Sequence, residues 1–99
     1  MAANPNEIVR LHVWVKGRVQ GVGFRAFVME AALATGVTGW TRNVGYDTVE
    51  SVVEGPRGKV EQFLQAVKAG PPASRVDRTL EEWEDSTGEF ASFTVRRSM

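Results

Sequence analysis

Residues 8–28 read IVRLHVWVKGRVQGVGFRAFV, and a change of period within this stretch decides the fold. Between residues 8 and 16, Val and Leu alternate with polar or bulky side chains, which is typical of a half-buried strand. After glycines at positions 17, 21 and 23, apolar residues recur at the spacing i, i+3, i+4 and i+7. That spacing predicts an amphipathic helix, with Gly36 placed to end it. The stretch therefore encodes a strand, a glycine-rich loop and a helix.

The rest of the chain repeats this pattern in a second half. Strands at 37–44 and 48–54 flank the turn residues 45–47 and are predicted to form a hairpin. Gly55-Pro56 begins a second helix, which the Gly-Pro-Pro at 70–72 ends. Residues 75–84 are predicted to be extended, and a last strand contains Phe93 and Val95.

The order of elements is β-α-β-β-α-β, with an extra extended segment before the final strand. This order predicts an α+β fold, the ferredoxin-like sandwich with an antiparallel sheet and both helices on one face. A chain of 99 residues has the size of one domain, which we place at residues 8–98, and the polar residues 1–7 are predicted to be a disordered or frayed leader. A late group of acidic residues is expected to form a solvated hairpin: Glu81, Glu82, Glu84, Asp85 and Glu89.

Composition excludes several classes of function. The formal net charge is zero, which argues against nucleic acid as the main partner, because affinity for its backbone comes from Lys and Arg. The chain has no cysteine, which removes disulfides, zinc–thiolate sites and thiol nucleophiles. No apolar run approaches the length of a membrane span. We therefore expect a cytoplasmic monomer that binds neither nucleic acid nor a membrane.

The glycine-rich loop at 17–23 has two interpretations. Glycine leaves backbone N–H groups uncovered, and the following helix directs its positive end toward the same place, so the loop could bind an anion. Arg25 lies in the first turn of that helix and carries a planar set of donors suited to phosphate oxygens. Alternatively, the glycines only let the chain turn and Arg25 is a solvated surface residue. The spacing matches neither the P-loop nor the dinucleotide-binding fingerprint.

A second motif adds specificity. Residues 39–43 read GWTRN at the end of the second strand, and residues 17–25 read GRVQGVGFR. Together they resemble both signature regions of the acylphosphatase family, and the similarity continues from about residue 13 to residue 97. Asn43 alone would more often be a turn residue, Arg42 a surface or ion-paired residue, and the lone His12 is given no role.

The resemblance implies a specific reaction, the metal-free hydrolysis of an acyl phosphate to a carboxylate and inorganic phosphate. In that family the loop amides and the arginine bind the phosphoryl group, and the asparagine positions the attacking water. Here the asparagine role falls on Asn43 and the arginine role on Arg25. The loop role falls on Arg18, Val19, Gln20, Gly21, Val22 and Gly23. No cofactor and no metal is implied.

The sequence departs from the family pattern at two places. Thr41 stands where a hydrophobic residue usually precedes Arg-Asn, and Tyr46-Asp47 stands where the hairpin usually carries Asp-Gly. Gly45 is therefore expected to relocate the turn. Two other functions use the same architecture: a non-catalytic module that binds an anion or a partner protein, and an RNA-recognition module. The RNA-recognition hypothesis is the weaker of the two, because the third strand lacks the aromatic residues on which bases stack.

Overall fold

The computed structural model describes residues 4–99, and this part of the chain forms five strands and two helices. None of these helices is long and apolar enough to cross a membrane. The elements follow in the order β1 (Ile8–Arg18), α1 (Phe24–Thr35), β2 (Thr38–Val44), β3 (Thr48–Pro56), α2 (Arg57–Ala69), β4 (Arg75–Asp85) and β5 (Phe93–Val95).

The predicted alternation of β1 is confirmed and builds the core. Its odd-numbered side chains, Val9, Leu11, Val13 and Val15, are all buried, whereas its even-numbered neighbours are half-buried on the opposite face. Both helices pack on the odd-numbered face, through Phe24, Val28 and Ala32 of α1 and Val60, Phe63, Leu64 and Val67 of α2. The ferredoxin-like α+β prediction is therefore confirmed.

The sheet has the strand order β4-β1-β3-β2-β5. The first four strands are antiparallel to their neighbours, but β5 pairs parallel to β2, from Gly39 opposite Phe93 to Thr41 opposite Val95. The prediction of a wholly antiparallel sheet is wrong for this edge. The long segment β4, predicted to be an extra segment, is the fourth strand of the β-α-β-β-α-β fold. The short strand β5 is the one added to that fold. Phe93 anchors it, because its ring lies 6.1 Å from that of Phe63 in the core.

The late acidic residues do not form a hairpin. Glu81, Glu82, Glu84 and Asp85 lie within β4, and Glu89 lies in the segment that follows it. β4 is an edge strand whose side chains are mostly exposed, so charged residues cost little there and discourage pairing with another sheet. The acidic segment therefore forms an edge strand whose charges disfavour pairing with the sheet of another molecule.

Residues 4–7, part of the predicted leader, contact the start of α2. The N–H groups of Arg57 and Gly58 donate to the carbonyl oxygens of Glu7 (2.8 Å) and Pro5 (2.9 Å). These are the free donors of the first helical turn, which need partners outside the helix. Residues 1–3 of the predicted leader lie outside the described residues. α2 begins at Arg57, one residue after the Gly55-Pro56 predicted to start it, because β3 continues through Pro56.

Glu54 fastens the segment between β4 and β5 to the middle of the sheet. Its carboxylate accepts hydrogen bonds from the backbone N–H groups of Thr87 and Gly88, each at 2.9 Å, and lies 3.4 Å from the guanidinium of Arg10. Burial by itself raises the pKa of the Glu54 carboxyl. The hydrogen bonds from Thr87 and Gly88 and the charge of Arg10 outweigh burial, so its pKa lies below the ordinary value.

We predict that Glu54→Gln lowers the free energy of unfolding by about 2 kcal/mol near neutral pH, because the backbone N–H groups of Thr87 and Gly88 lose a charged, buried acceptor. In the unchanged protein the folded pKa is the lower one. The Glu54 carboxylate therefore stabilises the folded state at pH values above the pKa that this group has in the unfolded chain. This stabilisation is lost as the pH falls through the lower pKa of the folded state. Urea denaturation between neutral pH and about pH 3 should show a flatter acid dependence in the variant.

The matched control is Glu82→Gln, an exposed carboxylate with no hydrogen bond or ion pair to the rest of residues 4–99. It should change neither the stability nor its slope with pH by more than a few tenths of a kcal/mol. Equal acid dependence in both variants would contradict the role of Glu54.

Candidate active site

The glycine loop and the β2–β3 hairpin meet at one end of the sheet. Since β3 runs antiparallel to β1, Lys16 at the end of β1 lies opposite Thr48 at the start of β3. The N–H of Gly17 donates to the carbonyl oxygen of Asp47 in the hairpin at 2.9 Å. Asn43, opposite Val49, lies at the same end. Residues more than twenty positions apart are thus brought together by strand pairing.

Backbone conformation explains the glycines of the loop. Gly21 and Gly23 have φ of 73° and 74°, in the left-handed region that L side chains seldom adopt, and each would leave room for a Cβ. At Gly17 the constraint is also steric, because a Cβ there would lie 2.2 Å from the carbonyl oxygen of Arg75. Gly23 caps α1 without any side-chain hydrogen bond, so the N–H groups of the first turn face the loop.

Gln20 ties the loop to the hairpin through its side chain. Its Nε2 lies 3.3 Å from the carbonyl oxygen of Val44, 3.2 Å from that of Gly45 and 2.9 Å from that of Thr48. One amide nitrogen carries two N–H bonds, so it shares them among these three acceptors. The sequence predicts Gln20 as a phosphate-binding residue, whereas the structure engages its side chain with the hairpin. Its backbone still lies in the loop.

A pocket of about 230 Å³ brings most of the predicted site together. Its walls come from the loop, the first turn of α1 and the end of β2: Val19, Gln20, Gly21, Gly23, Phe24, Arg25, Ala26 and Asn43. Two of the predicted residues lie elsewhere. Arg18 is exposed and faces a neighbouring cavity, and Val22 packs against the core.

Arg25 and Asn43 present opposite hydrogen-bonding character to this pocket. Arg25 is half-buried, and within residues 4–99 its guanidinium forms no salt bridge and donates no side-chain hydrogen bond. The Oδ1 of Asn43 is buried, and the described part of the chain offers it no donor. Buried polar atoms are nearly always hydrogen-bonded, so an orphan acceptor on the wall of a cavity indicates a place for a ligand or a water molecule.

The backbone of Asn43 is held on both sides. β3 lies on one side, and on the other the chain beyond β5 follows β2, where the N–H of Met99 donates to the Asn43 carbonyl at 2.9 Å. The turn next to it depends on Gly45, whose φ is 61°, and no residue other than glycine has a positive φ within residues 4–99. The positive φ of the turn therefore falls on Gly45, and Asp47 needs no unusual backbone.

Thr41, the other departure from the family pattern, is fully buried beside this strand end. Its hydroxyl donates to the carbonyl oxygen of Glu50 at 3.2 Å and accepts from the hydroxyl of Ser51 at 2.9 Å. Both hydroxyls are therefore satisfied, so a polar residue costs little where a hydrophobic one is usual. The sequence of β2 alone could not show that the Thr41 hydroxyl is hydrogen-bonded, because both of its partners belong to β3.

Arg42 and His12 lie on the opposite face of the sheet from Asn43. Arg42 Nε and His12 Nε2 contact the two oxygens of the Glu50 carboxylate, at 2.6 and 2.7 Å. The sequence interpretation of Arg42 as an ion-paired residue is therefore confirmed. Neither side chain reaches the pocket, because neighbouring residues of a strand point to opposite faces.

Comparison with known proteins agrees with this geometry. The Acylphosphatase family model matches residues 11–95, most of the chain. The chain belongs to the acylphosphatase family. It is 50% identical over 86 residues to the acylphosphatase of Pelotomaculum thermopropionicum, covering 87% of this chain and 94% of that protein. The prediction of an acylphosphatase, a hydrolase that acts on acid anhydrides, is confirmed at this level.

Solved structures of the family share the fold. The crystal structure of the acylphosphatase from Bacillus subtilis superposes with a TM-score of 0.85 and 35% identity, covering 89% of this chain and 98% of that one. The acylphosphatase from Coxiella burnetii gives a TM-score of 0.84 and 32% identity, covering 97% of this chain and all of the other. The ferredoxin-like architecture is therefore that of acylphosphatases.

We predict that Gln20→Ala separates the loop from the hairpin. Loss of the shared hydrogen bonds should lower the free energy of unfolding by about 1 kcal/mol. Backbone amides of residues 45–48 should exchange with solvent roughly fivefold faster, measured by hydrogen exchange, because local opening costs about 1 kcal/mol less. Gln65→Ala on the exposed side of α2 is the matched control. Unchanged exchange at the hairpin in Gln20→Ala would show that the loop and the hairpin are not coupled.

Proposed function

We propose that this acylphosphatase hydrolyses the carboxyl–phosphate bond of acyl phosphates to a carboxylate and inorganic phosphate. The observation that carries the mechanism is the orphan Oδ1 of Asn43, which lines the same pocket as Arg25 and the glycine loop. One wall offers positive charge and N–H groups, and the other offers an acceptor. Such a pair suits a bound phosphoryl group and a water molecule beside it.

The phosphoryl group binds to the loop and Arg25. Its oxygens accept hydrogen bonds from backbone N–H groups of the loop and of the first turn of α1, where the helix dipole adds positive potential. The guanidinium of Arg25, which has no salt bridge to the described part of the chain, supplies two parallel donors and a full charge. Because these groups are held by the fold before the substrate arrives, they stabilise charge without reorganising during the reaction.

Asn43 positions the attacking water. Its Oδ1 accepts one hydrogen from the water, and this orients a lone pair of the water oxygen toward phosphorus. The new P–O bond forms as the bond from phosphorus to the carboxyl oxygen breaks, and the electron pair leaves with the carboxylate. An amide is not a general base near neutral pH, so the water proton passes to an oxygen of the phosphoryl group.

The leaving group explains why so few residues are needed. A carboxylate departs without being protonated, so the reaction requires neither a strong general acid nor a metal or cofactor. Positioning and charge stabilisation carry the catalysis. With zero net charge and no cysteine, we further infer a cytoplasmic enzyme whose partners are its small substrate and phosphate and not nucleic acid.

For Arg25→Ala we predict a loss of phosphoryl binding. Hydrolysis of benzoyl phosphate should show a KM raised by about 100-fold, since a bidentate charged contact contributes about 3 kcal/mol. Inorganic phosphate should weaken as a competitive inhibitor to the same extent. Lys59→Ala, an exposed cation on α2, is the control. An unchanged inhibition constant for phosphate would remove Arg25 from the site.

For Asn43→Ala we predict that kcat falls by about 100-fold while KM changes little, because only the attacking water loses its position. Circular dichroism and the unfolding midpoint check that the strand end is intact. Unchanged kinetics would refute the role of Asn43.

If the unchanged protein does not hydrolyse benzoyl phosphate above the spontaneous rate, the chain is a binding module and not an enzyme.

A chelator separates this mechanism from one that uses a metal. We predict that benzoyl phosphate hydrolysis keeps its kcat after dialysis against EDTA, since every proposed contact comes from the chain itself. Loss of activity on dialysis, with recovery on adding Mg²⁺ or Zn²⁺, would contradict the proposal.

A further inference from the structure

A second, larger cavity lies beside the pocket that Arg25 and Asn43 line, where β1 ends and β4 begins. It measures about 570 Å³, and we call it the β1–β4 end pocket. Its lining includes four basic side chains: Lys16, Arg18, Arg75 and Arg78. Val19 and Gln20 line both cavities, so only the thickness of the loop separates them.

The basic residues of this pocket face each other in register. In the antiparallel pairing of β1 with β4, Lys16 lies opposite Arg78 and Arg18 lies opposite Arg75. Like charges directly opposite each other across two strands are destabilising. Two such pairs in succession at one end of a sheet are a cost to the fold, and a bound anion would remove it.

Acidic neighbours do not neutralise these charges. Asp47 and Asp77 are the two carboxylates of the pocket, so four basic and two acidic side chains leave a net charge of +2. Asp77 is 2.9 Å from Arg75. Within residues 4–99, Lys16, Arg18 and Arg78 form no salt bridge. The whole chain is neutral, so this positive charge is concentrated at one place.

We propose that the β1–β4 end pocket binds a second anionic group, carried by the acyl part of the substrate. This inference rests on the proposed function. With the phosphoryl group on the loop, the acyl part extends past Val19 and Gln20, and a carboxylate or phosphate at its far end reaches Lys16, Arg18 and Arg78. The preferred substrates are then acyl phosphates with a distal negative charge.

A pair of rigid substrates tests this preference. Benzoyl phosphate and 4-carboxybenzoyl phosphate differ by one distant carboxylate, which cannot attack the acyl group. We expect kcat/KM for the carboxylated substrate to be roughly five- to tenfold higher, as one or two partly exposed charged contacts would give. In Arg78→Gln, which removes one of the three cations that contact the distal group, the ratio of the two kcat/KM values should fall at least twofold. Lys59→Gln should leave the ratio unchanged.

Charge reversal distinguishes ligand binding from a structural role. In Arg78→Glu the pair with Lys16 becomes attractive, so the unfolding midpoint should rise by on the order of 2 °C. The same variant should prefer the uncarboxylated substrate. Stability and substrate preference then move in opposite directions, which a residue that only supports the fold would not produce.

Binding of inert analogues keeps the two proposals separable. Calorimetry with benzylphosphonate and 4-carboxybenzylphosphonate measures the preference without turnover. One outcome would refute the proposed reaction and support the anion-binding pocket. In it neither acyl phosphate is hydrolysed, the carboxylated analogue binds about fivefold more tightly, and Arg78→Gln reduces that difference. If both substrates turn over with a ratio near one in the unchanged protein, the pocket proposal is overturned.

A free anion must also be considered, since the same basic residues could bind one. Added benzoate should leave the hydrolysis of benzoyl phosphate unaffected apart from weak competition. Activation by benzoate that Arg78→Gln removes would assign the pocket to a separate effector and overturn its assignment to the substrate.

Discussion

β1 and β3 pair in antiparallel register from Ile8 opposite Pro56 to Lys16 opposite Thr48, and the site depends on this pairing. Because the two strands run in opposite directions, the loop that leaves β1 and the hairpin that enters β3 lie at the same end. Gln20 then bonds to three hairpin carbonyls across the junction. A slip of one residue would turn the buried valines of β1 toward solvent, so the register of the core also determines the geometry of the pocket.

The groups at this end of the molecule are held in states that cost free energy. Within residues 4–99, Oδ1 of Asn43 is buried without a donor and Arg25 has no counter-ion, and like charges face each other between β1 and β4. Elsewhere apolar side chains fill the core and glycines occupy the positions where φ is positive. At the opposite end of the sheet, Nε of Arg10 and of Arg57 are also buried without a hydrogen-bond partner within residues 4–99, but both guanidinium groups lie beside carboxylates. Concentration of such costs at one place is typical of a functional site, where the ligand supplies the missing partners.

Predictions from periodicity succeeded where each residue's environment is local. The alternation of β1, the helices ending at Gly36 and near Gly70, and the hairpin at 45–47 were all found. Predictions failed where a distant partner decides. The sequence predicts a hairpin for the acidic residues of β4, because nothing local shows that this segment pairs with β1 as an edge strand of the sheet. The parallel pairing of β5 depends on the contact of Phe93 with Phe63, thirty residues earlier.

By itself, the sequence determined the order of the elements, the ferredoxin-like fold and the resemblance to acylphosphatases, since spacing and glycine positions carry this information. It also singled out Arg25 and Asn43 as candidates, because their motifs are specific, and the two residues line one pocket. Only the tertiary structure decided which residues share a cavity. It directs Arg18 away from the pocket that Arg25 and Asn43 line, engages the Gln20 side chain with the hairpin and sets Lys16 opposite Arg78. The physical reason is that strand register and the direction of each side chain depend on partners far away in the chain.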